Sequence, residues 1–349
     1  MKNALSYWAA AQFEAARRLA QPVFPENRRR LHGHSFRLEL RSVLDDGWGG
    51  EVGLESHALQ RRLQSAVAAL DYRELNEVID DPSDSALLQW VASHLDGVQV
   101  SRLHLWAGPA RGMTMDARGT LHAWWRDRFE AAHRLPHVPE GHKCGRMHGH
   151  GFEVVLHVES LAGDIRHAEG VWETIRGKLH MSCLNEVAGL EIPTSENLSR
   201  WIWEAMVRDC AGMTSVAVFE TAGCGAVYDG RQHHIWKDFH FDSATRHPGG
   251  VLHGHTYALQ LGLTASVDQV MGWAVDFGDV KTLFKPVFRQ LDHHPLHERV
   301  SDGHVPALLQ WIHQEAASHL PALDRIVLRD TPATGGVLAW REEGHGVLF

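Results

Sequence analysis

An α+β fold made of three tandem modules is predicted by three sets of residues that recur in the same order along the 349-residue chain. Phe13, Phe129 and Phe241 form the first set, spaced 116 and 112 residues apart. The second is Leu70-Asp71-Tyr72, Leu179-His180-Met181 and Leu291-Asp292-His293. The third is Gln89-Trp90-Val91, Arg200-Trp201-Ile202 and Gln310-Trp311-Ile312. Polar segments around 118 and 232 divide the chain into modules 1–118, 119–232 and 233–349.

Each element of a module has a local reason. The Phe anchors open strand-like stretches, each leading to a His-Gly-His tripeptide: His32-Gly33-His34, His148-Gly149-His150 and His253-Gly254-His255. Phe152 to Val158, directly after the middle tripeptide, is rich in β-formers. Val280, Phe284, Val287, Phe288 and Leu291 fall on one helical face. Pro193-Thr194-Ser195-Glu196-Asn197 reads as a capped helix start leading into Leu198, Ile202 and Ala205. Ser215 to Phe219 then reads as a strand. The order strand, strand, helix, helix, strand, strand places two helices on one face of an antiparallel sheet with two open edges. Three such sheets joined edge to edge close a barrel with the helices outside.

Composition bounds the function. The net charge of -9 argues against nucleic acid as a partner. It leaves room for an anionic small molecule in a local basic pocket. Cys144, Cys183, Cys210 and Cys224 form no CxxC pair, which fits a reducing compartment. No stretch approaches a membrane span, so a cytoplasmic protein without a membrane partner is expected. Most of the 27 histidines, His57, His94 and His319 among them, read as surface or satisfied core residues.

The middle module differs. Residues two apart on a strand share a face, so His148 and His150 point the same way, and His133 shares a face with Phe129 and Ala131. A hairpin across 134–147 brings the three imidazoles together, and three nitrogen ligands with a free fourth position describe a catalytic zinc site. The corresponding residues of the first module are Arg17, His32 and His34, where a guanidinium repels a dication. Those of the third are Thr245, His253 and His255, with His247 two residues late. Both outer His pairs read as metal-free remnants.

At these residues the middle module resembles the 6-pyruvoyl-tetrahydropterin synthase superfamily, and more closely its bacterial 6-carboxytetrahydropterin synthases. The run from Phe129 through His133 and Cys144 to His150 is nearly continuous family signature, and Pro193 to Asn197, Trp201-Ile202-Trp203 and Glu220-Thr221 near Tyr228 match as well. The third module is similar at Gly272 to Phe277 and Leu291 to Leu296. The resemblance implies the tunnelling fold, whose subunits trimerise into a twelve-stranded barrel. Two barrels often stack, which here would give a homodimer of fused trimers. It implies a reaction in which 7,8-dihydroneopterin triphosphate becomes 6-carboxytetrahydropterin, acetaldehyde and triphosphate, on the way to 7-deazaguanines such as queuosine. It also implies roles: Zn2+ on His133, His148 and His150; Cys144 as general base; Glu220 and Thr221 on the pterin. Lys143 and Arg146 face either the triphosphate or solvent.

One departure matters. The family relay needs an Asp-His pair at the helix end, where the middle module has His180-Met181, the first Asp71-Tyr72 and the third an intact Asp292-His293. Because the family's site lies between subunits, the expectation is one composite site per chain, with Asp292 and His293 lent to Cys144. Two alternatives stay open: the sister reaction giving 6-pyruvoyl-tetrahydropterin, and a pterin- or metal-binding protein without turnover.

Overall fold

The computed structural model describes residues 4–20, 29–159, 165–246, 250–264, 266, 277–300 and 303–340. The first module holds β1 (Ala4–Arg17), β2 (His32–Ser42), α1 (Glu55–Val67), β3 (Arg73–Glu74), α2 (Asp84–Ser93), β4 (Val100–Gly108) and β5 (Arg111–Asp116). The second holds β6 (Leu121–His133), β7 (His148–Glu159), α3 (Ile165–Leu179), β8 (Ser182–Cys183), α4 (Ser195–Val207), β9 (Met213–Thr221) and β10 (Cys224–Tyr228). The third holds β11 (His233–Arg246), β12 (Leu252–Thr264), α5 (Phe277–Leu291), α6 (Val305–Ala316), β13 (Leu323–Thr331) and β14 (Thr334–Ala339).

Twelve antiparallel strands form a closed ring in the order β1-β2-β4-β5-β6-β7-β9-β10-β11-β12-β13-β14, and β14 returns to β1 from Ala4↔Ala339 to Ala9↔Thr334. Closure removes the open edges that each module would present alone. The two-residue strands β3 and β8 pair parallel with β1 and β6. Two joints between modules are tight turns, at 117–120 and 229–232. The strands that carry the Phe anchors begin eight or nine residues before the Phe, so the sequence marks only their second halves.

Strand alternation divides the side chains between two environments. Phe152, Val154, Leu156 and Val158 of β7 face outward and pack with Trp172, Ile175 and Leu179 of α3 and Leu198, Ile202 and Met206 of α4. Burying each such side chain stabilises the fold by roughly 1.5–3 kcal/mol. The first and third modules have cores of their own built the same way, the latter around Val280, Phe284, Val287 and Leu291 of α5. Val155 and its neighbours face the bore, where Trp124, Ala217, Phe219, Val227 and Trp236 cluster. At every seam between modules a tryptophan stands directly across from a glycine: Trp8↔Gly335, Trp124↔Gly112 and Trp236↔Gly225. The helix start expected at Pro193 to Asn197 is capped by Thr194 Oγ1 accepting from Asn197 N; Ser83 Oγ accepts from Ala86 N in the first module, whereas α6 starts after His304 without a side-chain cap. No helix among the described residues is long and apolar enough to cross a membrane.

Candidate functional site

The β6–β7 hairpin sets His133 directly opposite His148, and Ala131 opposite His150. One ring nitrogen from each of the three histidines lies within 4.8 Å of the others, and His133 Nε2 is 3.2 Å from His150 Nε2. Each Nδ1 meets a backbone carbonyl: Pro193 O for His133 (3.2 Å), Arg146 O for His148 (2.8 Å) and Gly151 O for His150 (3.2 Å). A carbonyl only accepts, so each Nδ1 donates, which leaves each Nε2 as the candidate ligand atom. Burial, reinforced by His148 and His150, pushes His133 down to about 4, which keeps it neutral near pH 7. Three pre-oriented imidazoles whose ring nitrogens converge fit a zinc ion with an open position.

The same hairpin positions differ in the outer modules. Arg17 opposes His32, and its Nη1 is 2.7 Å from Asp84 Oδ1. Burial first, then Arg17 and His32, lower His34 to about 4. In the third module Thr245 opposes His253, whose Nδ1 is hydrogen-bonded to His255 Nε2 at 2.7 Å. His247 lies outside the described residues, as do residues 272–276 of the third module's family-like motif.

A cavity of about 310 Å³ opens between the second and third modules. His133, Cys144, Glu196, Glu220 and Thr221 line it from one side, Lys237, Phe277 and Lys281 from the other. Cys144 sits half-buried in a one-turn 3-10 helix, Lys143–Gly145, whose fold is fixed by Leu135 N donating to Cys144 O (2.8 Å). Lys143 lines the same cavity, whereas Arg146 lines a neighbouring pocket in the 134–146 loop. Glu220 and Thr221 end β9, and Thr221 Oγ1 lies 3.1 Å from Cys224 Sγ. Burial pushes the Cys224 thiol up, with Thr221 and Lys237 opposing, so it stays protonated.

Asp292 and His293 are elsewhere. His293 lines a separate pocket of about 520 Å³ with Asp242, His255 and Thr256 of its own module. Asp292 Oδ1 lies 3.0 Å from His293 Nδ1, and the His293 side chain is 75% exposed. The turn that carries them is the same in all three modules. Tyr72, Met181 and His293 have φ of 53, 57 and 59°, and their N–H groups donate to Glu14 O, Glu130 O and Asp242 O. The residues before them accept back: Asp71 from Glu14 N, His180 from Glu130 N and Asp292 from Asp242 N.

Three lining residues were not singled out from the sequence. Glu196, 1% exposed and holding the Ser195 hydroxyl at 3.1 Å, lies in a segment read only as a helix start. Lys237 and Lys281 belong to the third module, and only the pairing of β10 with β11 brings that module to the second module's site.

A sequence profile of the family described as 6-pyruvoyl tetrahydropterin synthase matches residues 122–231 and 232–338, more than half of the chain. The chain belongs to that family. Similarity to individual members extends over one module at a time. A 6-carboxy-5,6,7,8-tetrahydropterin synthase of Synechocystis is 35% identical over 113 residues, covering 29% of this chain and 86% of the relative. A dihydroneopterin monophosphate aldolase of Pyrococcus furiosus is 27% identical over 111 residues, covering 30% and 92%. Among solved structures, Caenorhabditis elegans 6-pyruvoyl tetrahydropterin synthase aligns at 15% identity and a TM-score of 0.28, covering 32% of this chain and 95% of that one.

Proposed function

We propose that this chain is a zinc-dependent 6-carboxytetrahydropterin synthase, converting 7,8-dihydroneopterin triphosphate and water to 6-carboxytetrahydropterin, acetaldehyde and triphosphate in the cytoplasmic route to 7-deazaguanines such as queuosine. The observation that carries this reading is the converging trio His133, His148 and His150, with Cys144 on the cavity that His133 lines. A zinc ion on the trio supplies Lewis acidity toward the substrate's side-chain oxygens. Cys144 is the base that takes a proton from that side chain. Glu220, with Thr221 beside it, receives the pterin's amino and N3 hydrogens. Lys143, Lys237 and Lys281 give the cavity a positive rim for an anionic substrate.

In this reading residues 1–118 are a degenerate module that closes the barrel, 119–232 the zinc-bearing module and 233–349 the module that supplies Asp292 and His293. The carboxylate orients the imidazole as a proton carrier. Because His293 is exposed and lines a pocket without Cys144, the partner the pair serves is the Cys144 site of a second chain, in a homodimer of fused trimers.

Product analysis tests the reaction: acetaldehyde and 6-carboxytetrahydropterin are expected. A 6-pyruvoyl product without acetaldehyde would establish the sister reaction, and unchanged bound substrate a binding protein. Co-expressed Cys144→Ala and His293→Ala chains test the pairing. Activity recovered in the isolated mixed dimer is expected, and none means that the pair does not act across chains.

A further inference from the structure

The first module carries the same hairpin, the same histidine pair and a different third residue. Arg17, His133 and Thr245 stand opposite His32, His148 and His253, so the three side chains enter equivalent positions. Each donates to the carbonyl just ahead of the module's second helix: Arg17 Nη1 to Pro82 O at 2.9 Å, His133 Nδ1 to Pro193 O at 3.2 Å, and Thr245 Oγ1 to Gly303 O at 3.2 Å. His32 is also held as its counterpart is, with Nδ1 2.7 Å from Arg30 O where His148 Nδ1 is 2.8 Å from Arg146 O.

This leaves His32 Nε2 and His34 Nε2 buried without a hydrogen-bond partner. A buried ring nitrogen without a partner is costly, and the two rings lie edge-on with centroids 4.9 Å apart, close enough to face one cation. The cation beside this pair is Arg17, directly opposite His32, though neither Nε2 accepts a hydrogen bond from it. Its side chain is 3% exposed, its guanidinium packs over Phe36 at 5.0 Å, and Asp84 lies 2.7 Å away. Asp84 occupies the position that Ser195 holds in the second module, two residues after Pro82 as Ser195 is after Pro193. The first module thus holds a tethered monocation with its own counter-charge where the second offers a third imidazole. The third module took another course, since His253 and His255 bond to each other.

We propose that Arg17 stands in for the metal ion in the first module, and that His32 and His34 form a latent transition-metal site held shut by the Arg17–Asp84 ion pair. The proposal rests on reading the His133 trio as a metal site, and its test is a difference between variant and wild type, so the two readings fail separately.

Full-length wild type, Arg17→His/Asp84→Ser and Arg17→Ala are loaded with Co2+, dialysed, and assayed for bound metal and the visible absorption of tetrahedral cobalt. The double variant recreates a three-histidine set. The single variant leaves Asp84 to act as the third ligand beside His32 and His34. Each is expected to hold one equivalent more than wild type, with a matching gain in absorption; His32→Ala added to either should abolish the gain. Wild type without metal would sink the reading of the second module and leave the difference measurable. If the double variant does not fold, Arg17→Ala carries the test. No extra equivalent in any folded variant overturns the proposal.

Discussion

Trp124 lies directly across the seam between the first and second modules from Gly112, and a Cβ on Gly112 would come within 2.6 Å of the indole Cζ2. It would also meet the carbonyl oxygen of Leu105, backbone that has nowhere to move. Trp236 and Gly225 repeat the arrangement at the next seam, with 2.5 Å to Cη2. Gly112→Ala and Gly225→Ala should each destabilise the barrel by about 1–3 kcal/mol through overpacking, read as a lower urea midpoint. An unchanged midpoint would mean that the bore is loosely packed at these rings.

Cys144→Ser should lower turnover by about 10²-fold or more, the usual contribution of a positioned base, while metal content stays at the wild-type level. Glu220→Gln should act mainly on substrate affinity, raising KM, because the amide offers one acceptor where the carboxylate offers two. Loss of metal in Cys144→Ser would make the thiol a ligand instead.

Acid should destabilise the protein well before its carboxylates titrate. Burial, with Arg102 and His122 adding, lowers His157 to about 3; burial lowers His233 to about 4 and drives His104 well below its ordinary value. The unfolded chain takes up these protons near pH 6.5, whereas the folded one resists them. Their stabilising contribution is therefore complete above about pH 6.5 and is lost as pH falls toward 4 and then 3. Tm measured by circular dichroism should fall between pH 7 and 4.5, and His157→Gln should flatten that slope. A Tm independent of pH across the range would contradict this account.

Met181 holds φ of 57° with its side chain largely in solvent. A residue with a Cβ in this region is strained by about 1 kcal/mol. Met181→Gly should raise the urea midpoint, by an amount equivalent to roughly 0.5–1 kcal/mol. A drop would show that Met181 makes a contact that stabilises the turn.

The module order was legible because each anchor reports a local constraint. Phe129, Leu179 and Trp201 mark a strand, a helix end and a second helix in the second module, and the corresponding anchors mark the others. The His133, His148 and His150 trio was legible for the same reason, since a hairpin and a period of two suffice to bring those rings together. What was hidden depends on closure. Nothing local to Lys237 or Lys281 indicates that they face Cys144 across a cavity, because that contact exists only once β10 lies beside β11. Asp292 and His293 match the Cys144 site by residue type alone. Their turn instead clamps them to Asp242 of their own β11, on a separate pocket.

The turns at 117–120 and 229–232 tie neighbouring modules into one polypeptide, so ring formation is an intramolecular event. Dilution cannot take such a ring apart, as it can a ring of separate subunits. A further consequence concerns inheritance. A substitution in a homotrimer appears three times and must be tolerated at every joint, whereas here equivalent positions of one ring carry three different residues, Arg17, His133 and Thr245.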